Sequence, residues 1–492
     1  MKLNILHSLE MMKDYDSYVI PFFSPSVMSN FFDEDFCNLI NPYIEAGLFK
    51  AKKGEIYSFT SFFRGQNKHV NIVLVGFGEE SDLTTDILME NFGKSITELQ
   101  SLKAQKPVVF IENIASGVNK VDSFLKSCKA MLLAEYTFEK YQTKDDKTCR
   151  IDFIDIFTQY YEAERCEKRA SIIAANTILA RDLTNEPSNF LKPSTLVEKT
   201  LEAFEGLNLD IKIYDQPEIE KFKMEAFLSV ARGSSSKPKL IVINYNGNKK
   251  SDEKLALIGK GLTYDSGGYS IKPSDSMMAM KTDMAGAAAV IGAIKSIAES
   301  KLKVNVVAIV AACENMLSGD AYLPGDLIGS MGGKFIEVIN TDAEGRLTLA
   351  DAVTFAIREE QATKLIDIAT LTGAVLVALG DDYAGIVAND EHLYKIVEKA
   401  SKMANEKIWR LPLDEKIIEK NKSEIADIKN SGGKNAGASI AGAFISAFVE
   451  DLPWVHIDIA GTSATDKNRP YCRRGGTGYG VELLFDIASQ IK

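Results

Sequence analysis

The stretch NTDAEGRL places two carboxylates, Asp342 and Glu344, two residues apart, with Arg346 two residues further on. In an extended segment, side chains at positions i and i+2 project to the same side, so these two carboxylates could share one cation. The alternative is a helix start, in which Thr341 caps the helix and Glu344 bonds back to the backbone. On this segment alone the cap is favoured, although helical periodicity begins only near Leu347, after both acids, which is an observation against the cap.

Four further charged residues follow or flank predicted strands of the second half of the chain: Lys260, Asp265, Lys272 and Asp283. Each has an ordinary alternative, since Asp265 precedes Ser-Gly-Gly as in a turn, Asp283 suits a helix cap, and both lysines suit solvent. However, ligands of α/β sheets collect at the carboxyl ends of strands, and converging carboxylates need partner cations.

Two divalent cations would balance four carboxylates. A lysine held beside cations and away from water loses its proton readily, and its neutral amine can then bind metal. An oxygen-rich set with one amine and no thiolate suits Mg, Mn, Co or Zn. The pattern therefore predicts a carboxylate-based metal centre.

Histidine chemistry is poorly supported, because the chain has only four histidines and neither HExxH nor GxSxG is present. His456 alternates with apolar residues, which predicts a packed, hydrogen-bonded side chain and not a ligand. The methionine-rich run 277–280 is typical of core packing, with the lining of a substrate pocket as the alternative.

Composition bounds the class of protein. A chain of 492 residues with 46% hydrophobic and 25% charged residues predicts a soluble globular protein of two domains. The net charge of −11 argues against a broad nucleic-acid surface, and no apolar run approaches the roughly 20 residues that span a bilayer. Six scattered cysteines without a CxxC pair predict reduced thiols and a cytoplasmic location.

Alternation of short apolar runs with helical patterns predicts an α/β fold with two domains, each a mainly parallel or mixed sheet flanked by helices. We expect an N-terminal domain over 1–153, a long connecting helix over 154–183, and a catalytic domain over 184–492. Predicted strands of the catalytic domain are 239–245, 255–259, 304–312, 335–339, 365–369 and 454–459.

These motifs together resemble leucyl aminopeptidases, the metallopeptidase family also called cytosol aminopeptidases. NTDAEGRL matches the family signature without a gap, and KGLTYDSGG, IKP, KTDM, DIATLTGA and WVHIDIAGT match its other blocks in order. The resemblance covers residues 170–490 well and the first 150 in size and pattern only. Tyr264, Tyr269 and Ala285 depart from common family residues but remove no ligand or catalytic group.

The resemblance implies two divalent metal ions per subunit, Mn or Zn, with Mg or Co as alternatives. Asp265, Asp342 and Glu344 would hold one ion, and Lys260, Asp265, Asp283 and Glu344 the other. It also implies catalytic roles for two residues: Lys272 would polarise the scissile carbonyl, and Arg346 would hold bicarbonate, the general base for a water that bridges the metals. Expected substrate-binding residues are Met280, Asn340, Ala343, Thr370 and Leu371.

The implied activity is removal of N-terminal residues, leucine and other hydrophobic ones preferred, from peptide substrates. The implied assembly is a homohexamer, a dimer of trimers. From the composition and the acidic net charge we expect no membrane partner and no nucleic-acid partner. Alternatives are a DNA-binding or catalytically secondary member of the same family, and a di-metal phosphatase, for which no phosphate-cradling loop is found.

Overall fold

The computed structural model describes residues 1–8, 14–25, 32, 34–111, 120–143, 149–433 and 435–491. The chain divides into two compact units, Met1–Ala175 with Lys467–Arg474 and Asn176–Asp466 with Gly475–Lys492. Each unit contains a mainly parallel or mixed sheet with helices, so the predicted α/β class is confirmed.

The first unit is built on a six-stranded sheet in the order β1-β6-β5-β2-β4-β3, parallel throughout except for the antiparallel pair β3–β4. Its strands are β1 (Lys2–Leu6), β2 (Ser17–Phe22), β3 (Ile56–Phe63), β4 (Lys68–Gly76), β5 (Pro107–Phe110) and β6 (Phe153–Phe157). Its helices are α1 (Glu34–Glu45), α2 (Thr85–Ser101) and α3 (Lys120–Ala134). Aromatic side chains such as Tyr18, Phe36 and Phe110 fill the core of this unit.

The long helix α4 (Ala163–Asn185) begins later than predicted. Residues 153–157, expected at or before its start, form strand β6 between β1 and β5. A short apolar run such as Phe-Ile-Asp-Ile-Phe fits a strand or a helix equally well by periodicity, and the two neighbouring strands decide for the strand. The division between the two units falls inside α4, after Ala175.

The second unit is built on an eight-stranded mixed sheet in the order β15-β14-β17-β13-β9-β10-β8-β7. Its strands are β7 (Asp210–Asp215), β8 (Lys239–Asn246), β9 (Leu255–Asp265), β10 (Asn305–Asn315), β11 (Leu327–Ile328), β12 (Ile336–Glu337), β13 (Lys364–Ala369), β14 (Ala384–Ala388), β15 (Ile408–Arg410), β16 (Ile428–Lys429), β17 (Trp454–Asp458), β18 (Ala464–Thr465) and β19 (Gly475–Gly476). Its helices are α5 (Pro193–Ala203), α6 (Gln216–Lys221), α7 (Glu225–Ala231), α8 (Ser274–Met277), α9 (Ala285–Glu299), α10 (Gly345–Arg358), α11 (Gly373–Leu379), α12 (Glu391–Ala404), α13 (Glu415–Glu419), α14 (Gly437–Ser446) and α15 (Val481–Ala488).

Strand β9 lies in the middle of this sheet, parallel to both β10 and β13. Helices α9 and α10 pack on its two faces. A Cβ on Gly259 would meet the backbone of Gly286 in α9 at 2.6 Å, whereas the next side chain, Lys260, reaches Gly345 in α10. Since successive strand residues face opposite sides, small residues on both sides let the helices approach closely.

Most predicted strands of this unit are confirmed, with two differences. Strands β9 and β10 run to Asp265 and Asn315, beyond the apolar segments that predicted them. The predicted strand 335–339 is wrong, because only Ile336–Glu337 pairs, in a small sheet with β11 and β16. Phe335 and Ile339 are exposed, so this apolar run does not mark a strand buried on both faces.

One helical segment among the described residues, Ser274–Glu299, is long and apolar enough to cross a membrane by length and composition. It is interrupted by a 3-10 turn at Met278–Thr282, and 67% of its most apolar window is buried within the protein. Packing of α9 against β9, β10 and β13 accounts for its apolar character.

Candidate metal centre

Strand β9 positions the first two polar residues of the site, Lys260 within the strand and Asp265 at its end. Both are almost fully buried, at 3% and 1% exposure. A glycine at the start of α10 makes room for the lysine, because a Cβ on Gly345 would lie 2.5 Å from Lys260 Cε. Strand β9 and helix α10 therefore leave space between them for the Lys260 side chain.

The Lys260 ammonium bridges two carboxylates from different elements. Its Nζ lies 2.9 Å from Asp283 Oδ2 and 2.9 Å from Glu344 Oε1, and it donates to Thr370 O at 3.0 Å. Burial lowers the pKa of Lys260, but the opposing charges of Asp283, Glu344 and Asp265 outweigh it and the net shift is upward. The amine is thus protonated in this arrangement, and binding of a cation there would displace the proton.

A second lysine joins the other two carboxylates. Lys272 Nζ lies 2.9 Å from Asp265 Oδ2 and 2.6 Å from Asp342 Oδ1. The turn alternative for Asp265 also holds, because its Oδ1 accepts a hydrogen bond from Gly267 N at 2.8 Å. Gly267 and Gly268 have positive φ values of 85° and 61°, a conformation that favours glycine. The glycine turn brings Lys272 back onto the carboxylate that precedes it.

The segment that carries Asp342 and Glu344 is a turn and not the extended segment we expected. Glu344 has φ −77° and ψ −38°, and α10 follows it directly with no side-chain cap. Thr341 does not cap the helix, since its Oγ1 donates to Gly267 O and accepts from Ser270 N. The turn still directs both carboxylates toward Asp265. The carboxylates therefore converge as predicted, whereas the predicted extended backbone is wrong.

Asp283 likewise has no capping role, because Met284 is the residue that precedes α9 and no side-chain cap is formed. Its Oδ1 accepts from Thr370 Oγ1 at 2.8 Å. Burial raises the pKa of Asp283 to about 6, against the lowering effect of Lys260. A buried acid with a raised pKa is typical of a functional site.

The chemistry of this set fits metal ions. Asp265, Asp342 and Glu344 each offer an oxygen within 4.8 Å of the others. Glu344 Oε2 is buried without a hydrogen-bond partner among the described residues, and burial together with Asp265 raises the pKa of Glu344 to about 8. Four carboxylates face two ammonium groups, so positive charge is in deficit and bound cations would supply it. Oxygen ligands with one amine match hard or borderline divalent ions.

Arg346 lies at the start of α10 and is held differently from the lysines. Its Nη1 donates to Asn430 O at 2.7 Å, while its Nε is buried with no partner in the described part of the chain. Burial lowers the pKa of Arg346 to about 10, and Glu344 opposes that shift. At neutral pH the side chain is a buried cation whose Nε has no partner in the described part of the chain, which is suited to binding an oxyanion.

Of the five predicted substrate-binding residues, Thr370 contacts the charged cluster directly through Lys260 and Asp283. Leu371 follows it, and its backbone N–H donates to Asp458 Oδ1 at 3.0 Å. Asn340 Oδ1 accepts from Asp342 N, and Ala343 is buried within the same turn. Met280 lies in the 3-10 turn before Asp283. This turn has no buried residue and Met278 is 80% exposed, which does not support core packing.

Three buried residues hold the site together; the sequence did not point to Asn315 and Asn430, and it suggested a different role, a helix cap, for Thr341. Asn315 donates to Asp265 Oδ1, Thr341 joins the glycine turn to the acidic turn, and Asn430 holds Arg346 and the backbone of Asn340. Asn315 ends β10 as Asp265 ends β9, so the rule that polar residues at strand ends bind ligands could have identified it. Asn430 lies just after the two-residue strand β16, where no pattern marks it.

His456 is a packed residue, as predicted. It is fully buried in β17, and its Nδ1 lies 2.5 Å from Asp367 Oδ1 in the neighbouring strand β13. Trp454 Nε1 donates to the other oxygen of Asp367 at 2.6 Å. This network ties the neighbouring strands β13 and β17 together.

Comparison with known protein families gives two matches. The profile described as "Cytosol aminopeptidase family, catalytic domain" matches residues 178–485, and "Cytosol aminopeptidase family, N-terminal domain" matches residues 19–145. The "Probable cytosol aminopeptidase" of Clostridium perfringens is 42% identical over 96% of this chain and 97% of its own. That of Clostridium tetani is 45% identical over 91% and 92%.

Among solved structures, the "Bottromycin maturation enzyme BotP" aligns over 97% of this chain and 99% of its own, with a TM-score of 0.85 and 26% identity. The same enzyme in complex with Mn aligns with a TM-score of 0.86. The similarity therefore extends over both units and includes a relative whose structure was determined with Mn.

Proposed function

The chain belongs to the cytosol aminopeptidase family, and from this premise we propose that it is a leucyl-type metallo-aminopeptidase with two divalent cations at the candidate metal centre. Substrates would be peptides with a free N-terminus, with leucine and other hydrophobic residues preferred. The observation that carries the proposal is the convergence of Asp265, Asp342 and Glu344 oxygens within 4.8 Å at the end of the central strand.

The ligand sets are proposed as the resemblance implies. Asp265, Asp342 and Glu344 would hold one ion, and Lys260, Asp265, Asp283 and Glu344 the other. When bound, the two cations, Mn or Zn with Mg or Co as alternatives, supply Lewis acidity and lower the pKa of water. The structure of a relative in complex with Mn supports Mn as one choice.

Lys272 is the residue we propose to polarise the scissile carbonyl. Its side chain is the less buried of the two lysines, at 15% against 3% exposure, and its Nζ lies between Asp265 and Asp342. The two carboxylates fix the position of the ammonium. A fixed ammonium beside a carbonyl oxygen stabilises the negative charge that develops there during attack.

Arg346 is the residue we propose to hold bicarbonate. Asn430 O fixes one end of the guanidinium, and the buried Nε is left to donate to an anion. A bound bicarbonate would accept a proton from the attacking water. This assignment supplies a general base to a site in which no described histidine contacts the four carboxylates of the metal centre.

Hydrolysis of two p-nitroanilides tests the proposal. Leucine p-nitroanilide should be cleaved only with metal present, and N-acetyl-leucine p-nitroanilide should not be cleaved, because its α-amino group is blocked. A chelator should abolish turnover and added Mn²⁺ should restore it. Hydrolysis of p-nitrophenyl phosphate with no anilide cleavage would contradict a peptidase and favour a di-metal phosphatase.

A further inference from the structure

We propose that Asn315 is a positioning residue of the metal centre, which holds Asp265 and the acidic turn at the separation that metal binding requires. The inference rests on the proposed two-metal function. Asn315 carries no charge and has no part in the proposed chemistry at the scissile bond. Its contacts connect two segments that each supply metal ligands.

The side chain of Asn315 is fully buried at the end of β10, where it pairs in register with Asp265 at the end of β9. Its Nδ2 donates to Asp265 Oδ1 at 2.8 Å and to Thr341 O at 3.0 Å. An amide nitrogen has two protons, and both are used here. One planar group therefore fixes the distance between Asp265 and the residue that precedes Asp342.

Both of these partners are held from other sides as well. Asp265 Oδ1 also accepts from Gly267 N, so two N–H donors occupy this oxygen and leave Oδ2 facing Lys272. Thr341 O also accepts from Tyr322 Oη at 2.9 Å. The backbone oxygen of Asn315 accepts from both the N–H and the hydroxyl of Ser266. Rotation of the Asp265 carboxylate would break bonds to two different segments.

An uncharged donor suits this position. A lysine or arginine would neutralise Asp265 and compete with a cation for it, whereas an amide orients the carboxylate and leaves its charge available. Groups that orient metal ligands through hydrogen bonds typically change metal affinity 10–100-fold when removed. We therefore expect loss of Asn315 to weaken metal binding more than it weakens the fold.

Asn244 provides a matched control. It is also a buried asparagine in a strand of the same sheet, β8, and its Nδ2 donates to the carboxylate of Glu360 at 2.9 Å. Glu360 is outside the metal centre. Asn244→Ala thus removes the same kind of bond at similar burial, and any effect of lost packing alone should appear in both variants.

The inference is tested by measuring the Mn²⁺ affinity of the metal-free full chain by isothermal titration calorimetry. Thermal unfolding is measured alongside. Asn315→Ala should bind Mn²⁺ roughly 10–100-fold more weakly than the wild type. Asn244→Ala should stay within about twofold of it while losing thermal stability. Asn315→Asp keeps the shape of the side chain and adds negative charge, which by charge alone would strengthen cation binding. We expect weaker binding, because the two N–H donors are lost.

Wild-type affinity in folded Asn315→Ala or Asn315→Asp would overturn the inference and leave the metal centre intact. If Asn315→Ala does not fold, Asn315→Asp decides alone, and stronger or unchanged binding by it counts against positioning. A wild type that binds no Mn²⁺ would instead overturn the proposed metal centre, and this inference with it.

Discussion

Arg346 differs from the two lysines of the site, because the hydrogen bond that fixes it is to a backbone carbonyl and not to a carboxylate. Metal binding should therefore not depend on it. The guanidinium is buried and has an unused donor, which is costly unless an anion binds there. The proposed role in holding the base is consistent with both properties.

Arg346→Ala should retain bound metal and lose roughly 10²–10⁴-fold in kcat for leucine p-nitroanilide, because the proposed base is no longer held. Added bicarbonate should restore little activity. Metal content by mass spectrometry and steady-state kinetics measure the two effects separately. Wild-type kcat in this variant would contradict the role assigned to Arg346.

At the residue scale, the charged members of the site could be predicted from the sequence because their short spacings and strand-end positions are visible in one dimension. The backbone geometry could not. An i, i+2 pair suggested an extended segment, but the hydrogen bonds of Thr341 to Gly267 and Ser270 impose a turn. Such contacts join residues more than 70 positions apart, and no local pattern reports them.

At the scale of elements, the fit between β9 and α10 depends on the absence of a side chain at Gly345. Strand β9 places Lys260 against the first turn of the helix, where a methyl group has no room. Gly373 begins α11 in the same way, but a Cβ there would meet nothing within 4 Å. Comparison of alanine substitutions at the two glycines therefore distinguishes a steric effect on Lys260 from a general effect of replacing the first glycine of a helix.

Gly345→Ala should displace Lys260 and reduce activity at least about tenfold, with weaker metal binding, since the amine is one of the proposed ligands. Gly373→Ala should keep metal affinity near that of the wild type. Parallel Mn²⁺ titrations and p-nitroanilide assays of the two variants make the comparison. Equal effects of the two substitutions would show that the contact with Lys260 is not the cause.

The pairing of β13 with β17 predicts a pH-dependent stability. Burial lowers the pKa of His456, but Asp367 outweighs it, so the folded-state pKa lies above the ordinary 6.5. The folded protein then binds this proton more tightly than the unfolded chain, and the stabilisation is complete below 6.5 and lost as pH rises through the folded pKa.

His456→Asn should accordingly lower the melting temperature most at about pH 6 and progressively less toward about pH 9. Melting temperatures of the wild type and the variant, measured by thermal unfolding across this pH range, give the difference. The titration of other groups affects both proteins and largely cancels in that difference. A difference that stays constant or grows with pH would show that the His456–Asp367 pair is not charged in the folded protein.

Most strands of the large sheet in the second unit could be predicted because they are near-continuous apolar runs buried on both faces, as β8, β13 and β17 are. The ends of β9 and β10 could not, because polar residues there continue the ladder while facing the site. Segment 335–339 shows the opposite failure, because its apolar ends Phe335 and Ile339 are exposed and only Ile336–Glu337 pairs.

At the scale of the whole molecule, the homohexamer, a dimer of trimers, is a prediction from the family resemblance, and the cytoplasmic location is a prediction from the scattered cysteines. Size-exclusion chromatography with light scattering should give about six times the chain mass of 54.1 kDa. A chain-sized mass at micromolar concentration would contradict the assembly but leave the metal centre unaffected, because all of its proposed ligands come from one chain.

The central claim is that bound metal at these carboxylates makes the protein an aminopeptidase. The most direct test is titration of chelator-treated protein with Mn²⁺ while leucine p-nitroanilide hydrolysis is followed. Activity should rise from zero and level off near two equivalents per chain, whereas Asp342→Ala should bind less Mn²⁺ and remain inactive. Full activity in the presence of chelator, or Mn²⁺ binding without any anilide cleavage, would contradict the account.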